Sequence, residues 1–121
     1  MNRESQTQDH RADECYPLSF PVQINGGQLG TAVGRSRDAS AKGLCADVNA
    51  EMTVGAPVRV RFRVSPRERP QDFDGTVTRI ERNDSAGSQW PYQLAVKFDQ
   101  PNAALAARLQ AEFAHLQPAS L

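Results

Sequence analysis

The sequence predicts a mainly β fold, a six-stranded antiparallel β-barrel with one C-terminal α-helix. Three observations predict it. Val58 to Val64 alternates strictly, with Val58, Val60, Phe62 and Val64 on one face and Arg59, Arg61 and Arg63 on the other. A period of two marks a strand with one face in the core and one in water. Tyr92 to Phe98 alternates in the same way, with Tyr92, Leu94, Val96 and Phe98 sharing a face. After Asp99 the period changes: Leu105, Leu109, Phe113 and Leu116 recur at helical spacing.

The remaining elements follow in chain order. Residues 1–14 carry four acids and two arginines and no hydrophobic period, so a mobile N-terminal segment is expected. Leu18 to Ile24 alternates apolar and polar residues as a first strand. Asn25-Gly26-Gly27 is a turn signal. Thr31 to Arg37 reads as a second strand and Leu44 to Val48 as a short third, with residues 49–55 connecting to the Val58 strand. Pro66 and Pro70 break the pattern. Phe73 to Arg82 resumes it with a slip of parity between Val77 and Ile80, which predicts a bulge. Residues 83–88 form a loop before the sixth strand. Pro101 and Asn102 open the helix and Pro118 ends it. Short strands followed by one amphipathic helix suit a small barrel whose helix covers one mouth. The expected division is a flexible segment 1–14, a barrel with its helix over 15–117 and a tail 118–121.

Composition narrows the function. The chain has 121 residues, 39% hydrophobic and 23% charged, with a mean hydropathy of −0.58. Fourteen basic residues balance fourteen acidic ones, which disfavours a general DNA or RNA coat or a polybasic membrane binder. No apolar run approaches a membrane span, and the polar N-terminus lacks a secretory pattern, so no membrane insertion and a cytoplasmic location are expected. Cys15 and Cys45 match no zinc or disulfide pattern and are expected as small, buried or half-buried reduced thiols. No catalytic set, cofactor or metal site is expected, because no paired carboxylates, nucleophile–His–acid set or Gly-rich phosphate loop is present. Of the fourteen basic residues, twelve are Arg. The guanidinium fork suits phosphate and the guanine edge better than a lysine ammonium does.

The distinctive segment is Arg35-Ser36-Arg37-Asp38-Ala39-Ser40-Ala41-Lys42-Gly43-Leu44. It resembles the Asp-x-Ser-x-x-Gly signature of PilZ domains. Cys15 to Val22 is similar to the family's first strand, Val58 to Val64 to its charged-aliphatic strand, and Tyr92 to Asp99 with the following helix to its closing elements. The resemblance covers roughly residues 11–116. It implies binding of the bacterial second messenger cyclic di-GMP and a signal passed to a protein partner in motility or biofilm control. The implied ligand-binding residues are Asp38, Ser40 and Gly43, together with Arg11 from the family's Arg-x-x-x-Arg motif. Cys15 stands where that motif has its second arginine. Arg35 and Arg37 are additional candidates.

The chemistry fits these residue types. Guanine O6 and N7 are adjacent acceptors that match an arginine fork. Phosphate accepts the same fork with charge assistance. An aspartate can accept from the guanine N1–H and amine. A serine can donate, and a glycine admits close backbone approach or a positive φ. Two other readings stay open. One is a degenerate PilZ adaptor that does not bind the nucleotide and works by protein–protein interaction. The other is an OB-like barrel binding single strands on the Arg59–Arg63 face, which would need exposed stacking aromatics on that face, where the sequence shows none. Taken alone, Asp38 and Ser40 also suit an ordinary turn.

Overall fold

The computed structural model describes residues 15–83 and 89–116. The order is β1 (Pro21–Asn25), a 3-10 turn (Gly27–Leu29), β2 (Thr31–Ser40), β3 (Gly43–Val48), β4 (Pro57–Phe62), β5 (Gln71–Arg82), β6 (Tyr92–Phe98) and α1 (Ala103–Leu116). All pairings are antiparallel, and the sheet closes as β1-β2-β3-β6-β5-β4. The six-stranded barrel with its C-terminal helix is therefore the fold. The expected mobility of residues 1–14 lies outside the described residues.

The alternating residues supply the core. Ile24, Val60, Leu94 and Val77 are essentially inaccessible. Phe62 stacks between Phe20 and Phe73, with ring centroids 4.9 and 4.8 Å away, and Phe98 lies 5.2 Å from Phe73. The expected bulge in β5 is present: Val77 opposes Val96 and Arg79 opposes Ala95, which leaves Thr78 as the extra residue.

The first strand differs from expectation. Leu18, Phe20, Val22 and Ile24 all point inward, yet ladder pairing begins only at Pro21. Proline has no N–H to donate. Upstream, buried Ser36 takes over: its Oγ accepts from the Phe20 amide at 3.0 Å and donates to the Leu18 carbonyl. The second strand is also longer than expected and runs to Ser40, so only Ala41 and Lys42 form the turn into β3.

The helix starts at an Asn102 cap, whose Oδ1 accepts from the Leu105 amide at 2.9 Å. Leu105 and Leu109 are fully buried, and Phe113 packs beside Tyr16 at 5.6 Å between centroids. Leu116 was expected in the same apolar stripe. It is 61% exposed instead, because the core beneath the helix ends one turn earlier.

The outward arginines of β4 meet acids across the strand. Arg59 pairs with Asp74 at 3.0 Å, and Arg61 grips Asp72 at 2.7 and 3.1 Å. The Arg61 hydrogen bond, aided by its charge, holds the Asp72 carboxyl below the ordinary aspartate value of 3.8. A depressed folded value contributes stability above the unfolded value, and that contribution fades as pH falls through the folded one. A carboxyl-carbon NMR titration is expected to place the Asp72 midpoint below 3.8 and to raise it in Arg61→Ala. An unmoved midpoint in that variant would mean the pair does not persist in solution.

Gly34 marks a close approach of β2 and β3. A Cβ there would stand 1.8 Å from the Asp47 carbonyl oxygen. Gly34→Ala is expected to lower stability by about 3 kcal/mol or more, because only backbone can yield. The urea midpoint reads this, and a midpoint equal to the parent's would show that the strands part freely.

Candidate functional site

A second bulge, in β2, builds the site. Ser36 opposes Ala46 and Asp38 opposes Cys45, so Arg37 is the extra residue. Before it, Ala32, Gly34 and Ser36 face the core; after it, Ala39 does. The bulge thus reverses parity and turns Asp38 to the outer face beside Arg37, with Ser40 on the same side but buried at the strand's end. Without it, the even-numbered residues would continue inward.

Arg37, Asp38, Ser40, Gly43 and Cys15 line one open groove of about 480 Å³. Register explains its shape. Asp38 opposes Cys45, Cys45 opposes Ala95, and Ala95 opposes Arg79. The small residues Gly43, Cys45 and Ala95 form a low floor over β3 and β6. Arg37 and Asp38 stand on the β2 side, and Arg79 stands on the β5 side. Three strand spacings, about 14 Å, separate the two sides.

Polar contacts hold the groove loosely. Arg37 donates to Gln93 Oε1 at 2.8 Å and lies 3.6 Å from Asp47. Gln93 in turn donates to Cys45 Sγ at 3.1 Å. Arg79 lies 3.5 Å from Glu81. Such exposed pairs are each worth about 1 kcal/mol or less, so either arginine can turn to an anion at small cost. The Asp38 carboxylate is half-buried and takes no hydrogen bond from another described side chain. Ser40 is buried; its Oγ accepts from the Lys42 amide at 3.1 Å and lies 3.5 Å from the Gly43 carbonyl. Ser40 therefore also closes the turn. The Asn102 amide, next to the helix, donates to the Ala41 carbonyl at 2.9 Å and fastens that turn to α1.

Gly43 is not among the described glycines with a positive φ, which are Gly27, Gly30 and Gly55. Its reason is close approach: a Cβ would stand 2.2 Å from the Val96 carbonyl oxygen. Cys45 is buried as expected, Cys15 is exposed rather than buried or half-buried, and neither joins a disulfide. Cys15 reaches the groove because its neighbour Tyr16 bridges to Ala39 through two backbone bonds of 2.8 and 3.0 Å.

The other candidates lie elsewhere. Arg35 does not line this groove; it donates to Ser19 Oγ at 2.9 Å and to the Ser19 carbonyl at 3.1 Å. Arg11 lies outside the described residues. Arg79 and Gln93 were not singled out from the sequence. The slip of parity at Thr78 was the one signal available, since it is this bulge that sets Arg79 opposite Ala95. Among the described residues no group of acids, histidines and cysteines could hold a metal, and no helix is long and apolar enough to cross a membrane.

The architecture has known counterparts. The Bacillus subtilis inhibitor of motility MotI/DgrA is 17% identical, with a TM-score of 0.63 over 84% of this chain and 48% of that one. This chain thus spans about half the length of that protein. The PilZ domain of Escherichia coli YcgR, solved with c-di-GMP, is 16% identical, with a TM-score of 0.65 over 84% of this chain and 87% of that one. The PilZ domain of CeSA from a cellulose-synthesizing bacterium is 14% identical, with a TM-score of 0.56 over 85% and 97%. At these identities the likeness is one of fold. No curated protein matches the sequence. The family model for the PilZ domain matches residues 5–114, nearly the whole barrel and helix, and with the Asp38, Ser40 and Gly43 spacing it places this chain in the PilZ domain family.

Proposed function

We propose that this protein is a cyclic di-GMP receptor that acts through a protein partner in bacterial second-messenger signalling. The observation that carries the reading is the single groove lined by Arg37, Asp38, Ser40, Gly43 and Cys15, with Arg79 opposite. Asp38 accepts from the guanine N1–H and amine. Arg37 and Arg79, held only by exposed pairs, turn to phosphate oxygens or to guanine O6 and N7. The floor of Gly43, Cys45 and Ala95 leaves room for a flat base. Arg11 adds a further fork from the N-terminal side. Arg35 assists only if it leaves Ser19. The c-di-GMP-bound relative of the same fold supports the ligand class. Motility and biofilm control are the processes in which the partner acts, and the reading needs no catalytic group, cofactor or membrane insertion.

Cys15 in place of an arginine favours a second reading, an adaptor that has lost the nucleotide and keeps the partner. Isothermal titration with cyclic di-GMP separates the two. Saturable binding that Arg37→Ala weakens by about ten-fold or more supports the receptor. No heat of binding at millimolar nucleotide leaves the adaptor.

A further inference from the structure

A second groove, of about 690 Å³, lies on the outer face of β1, β2 and β4 and does not share the residues of the first. Pro21, Val33 and Trp90 give it an apolar surface, and Arg35, Arg61 and Arg63 line it as well. No acidic residue lines it among the described residues. The three arginines differ in how they are compensated. Arg61 is neutralised by its two bonds to Asp72. Arg35 has only the neutral partners of Ser19. Arg63 bonds to no described residue.

Register puts the charge around the apolar surface. Pro21 opposes Arg35 on one side, and Arg63 follows Phe62, which opposes Val22, on the other. The exposed Pro21 thus lies between two guanidinium groups; Glu112 of α1 lines an adjoining hollow with Pro21, Arg35 and Arg63 but forms no ion pair with either arginine. Val33 points outward and is 40% exposed. This face contrasts with the outer face of β4 and β5, where each arginine of the strand meets an aspartate. Trp90 is half-buried at the edge of the groove, and its carbonyl is fixed by Asn83 Nδ2 at 2.8 Å. That bond fixes the backbone at the groove's edge, which lowers the ordering cost of an encounter there.

We propose that this groove docks an acidic segment of a partner protein. Its carboxylates meet Arg35 and Arg63, and an aliphatic or proline side chain covers Pro21, Val33 and Trp90. Side chains carry the contact, because the closed barrel offers no free strand edge for a peptide to extend. The proposal concerns the partner half of the function, and it holds with or without nucleotide.

Trp90 is the only tryptophan of the chain, so its emission reports on this groove alone. The probes are a short synthetic peptide of glutamate, leucine and proline, the same peptide with lysine for glutamate, and an oligothymidylate, all added without cyclic di-GMP. The acidic peptide is expected to shift the emission saturably and the lysine peptide to leave it unchanged. Arg63→Glu is expected to weaken the response by about ten-fold. It keeps the fold, since the Arg63 side chain has no described partner to lose. Arg35→Glu is a second variant, with circular dichroism to check folding because Ser19 loses its donor. A response equal for both peptides, a response untouched by Arg63→Glu, no saturable response, or saturation by oligothymidylate in place of the acidic peptide each overturns the proposal. Nucleotide binding is read separately by calorimetry, so either proposal can fail alone.

Discussion

Asp38→Ala is expected to abolish measurable cyclic di-GMP binding and to leave the melting temperature where it was. The carboxylate sits half-buried on the outer face with no described side chain bonded to it, so the fold loses nothing when it goes. The nucleotide loses a bidentate acceptor for the guanine edge, worth about 1–3 kcal/mol, and keeps two donors facing an apolar methyl. Ser40→Ala behaves differently. Its Oγ accepts from the Lys42 amide inside a closed turn, so this change is expected to weaken binding and also to cost about 1 kcal/mol of stability. Calorimetric titration and thermal unfolding of the two variants separate the roles. A large drop in melting temperature for Asp38→Ala with binding intact would make Asp38 a structural residue and remove it from the site.

Cys15→Arg is expected to tighten binding by ten- to a hundred-fold, the equivalent of about 1–3 kcal/mol for one added arginine fork. The position is well placed for it. Residue 15 lines the groove, and the Tyr16–Ala39 bridge beside it fixes where a longer side chain would begin. Arg37 is near enough to repel a new cation in the free protein, but the nucleotide's phosphates neutralise both. The gain should therefore shrink as salt rises. An affinity unchanged in the folded variant would mean that Arg37 or Arg79 already occupies the place that the motif's second arginine fills elsewhere.

What was legible in the sequence was whatever had a local period. β4 and β6 alternate without interruption because one face of each meets the core along its whole length. The bulge in β5 showed as a slip of parity between apolar residues. The bulge in β2 did not, because Arg37, Asp38 and Ser40 are all polar and a slip among polar residues leaves no trace. The strand was therefore expected to stop at Arg37, three residues short. Gly43 was legible by spacing, while the choice between its two possible reasons depended on Val96, a residue brought to it only by the β3–β6 pairing. Arg79 escaped for the same cause. Its place in the groove follows from strand order, which no window of sequence contains. The arginines of the Arg59–Arg63 face are exposed, and Asp72 and Asp74, which no window around β4 contains, pair with Arg61 and Arg59.

The β3–β6 seam also has a consequence in time. Gly43 meets Lys97, and this pairing joins two distant parts of the chain. Contacts of such long sequence separation form slowly, since the loop entropy must be met before the contact rewards it. The groove floor straddles this seam, with Gly43 and Cys45 on one strand and Ala95 on the other. It therefore does not exist in a chain whose sixth strand has yet to join. A nucleotide seated across the seam adds its binding energy only after closure. It should slow unfolding, and where the seam closes after the transition state it leaves the rate of folding untouched. Bound protein would then persist longer under proteolysis without ever having folded faster.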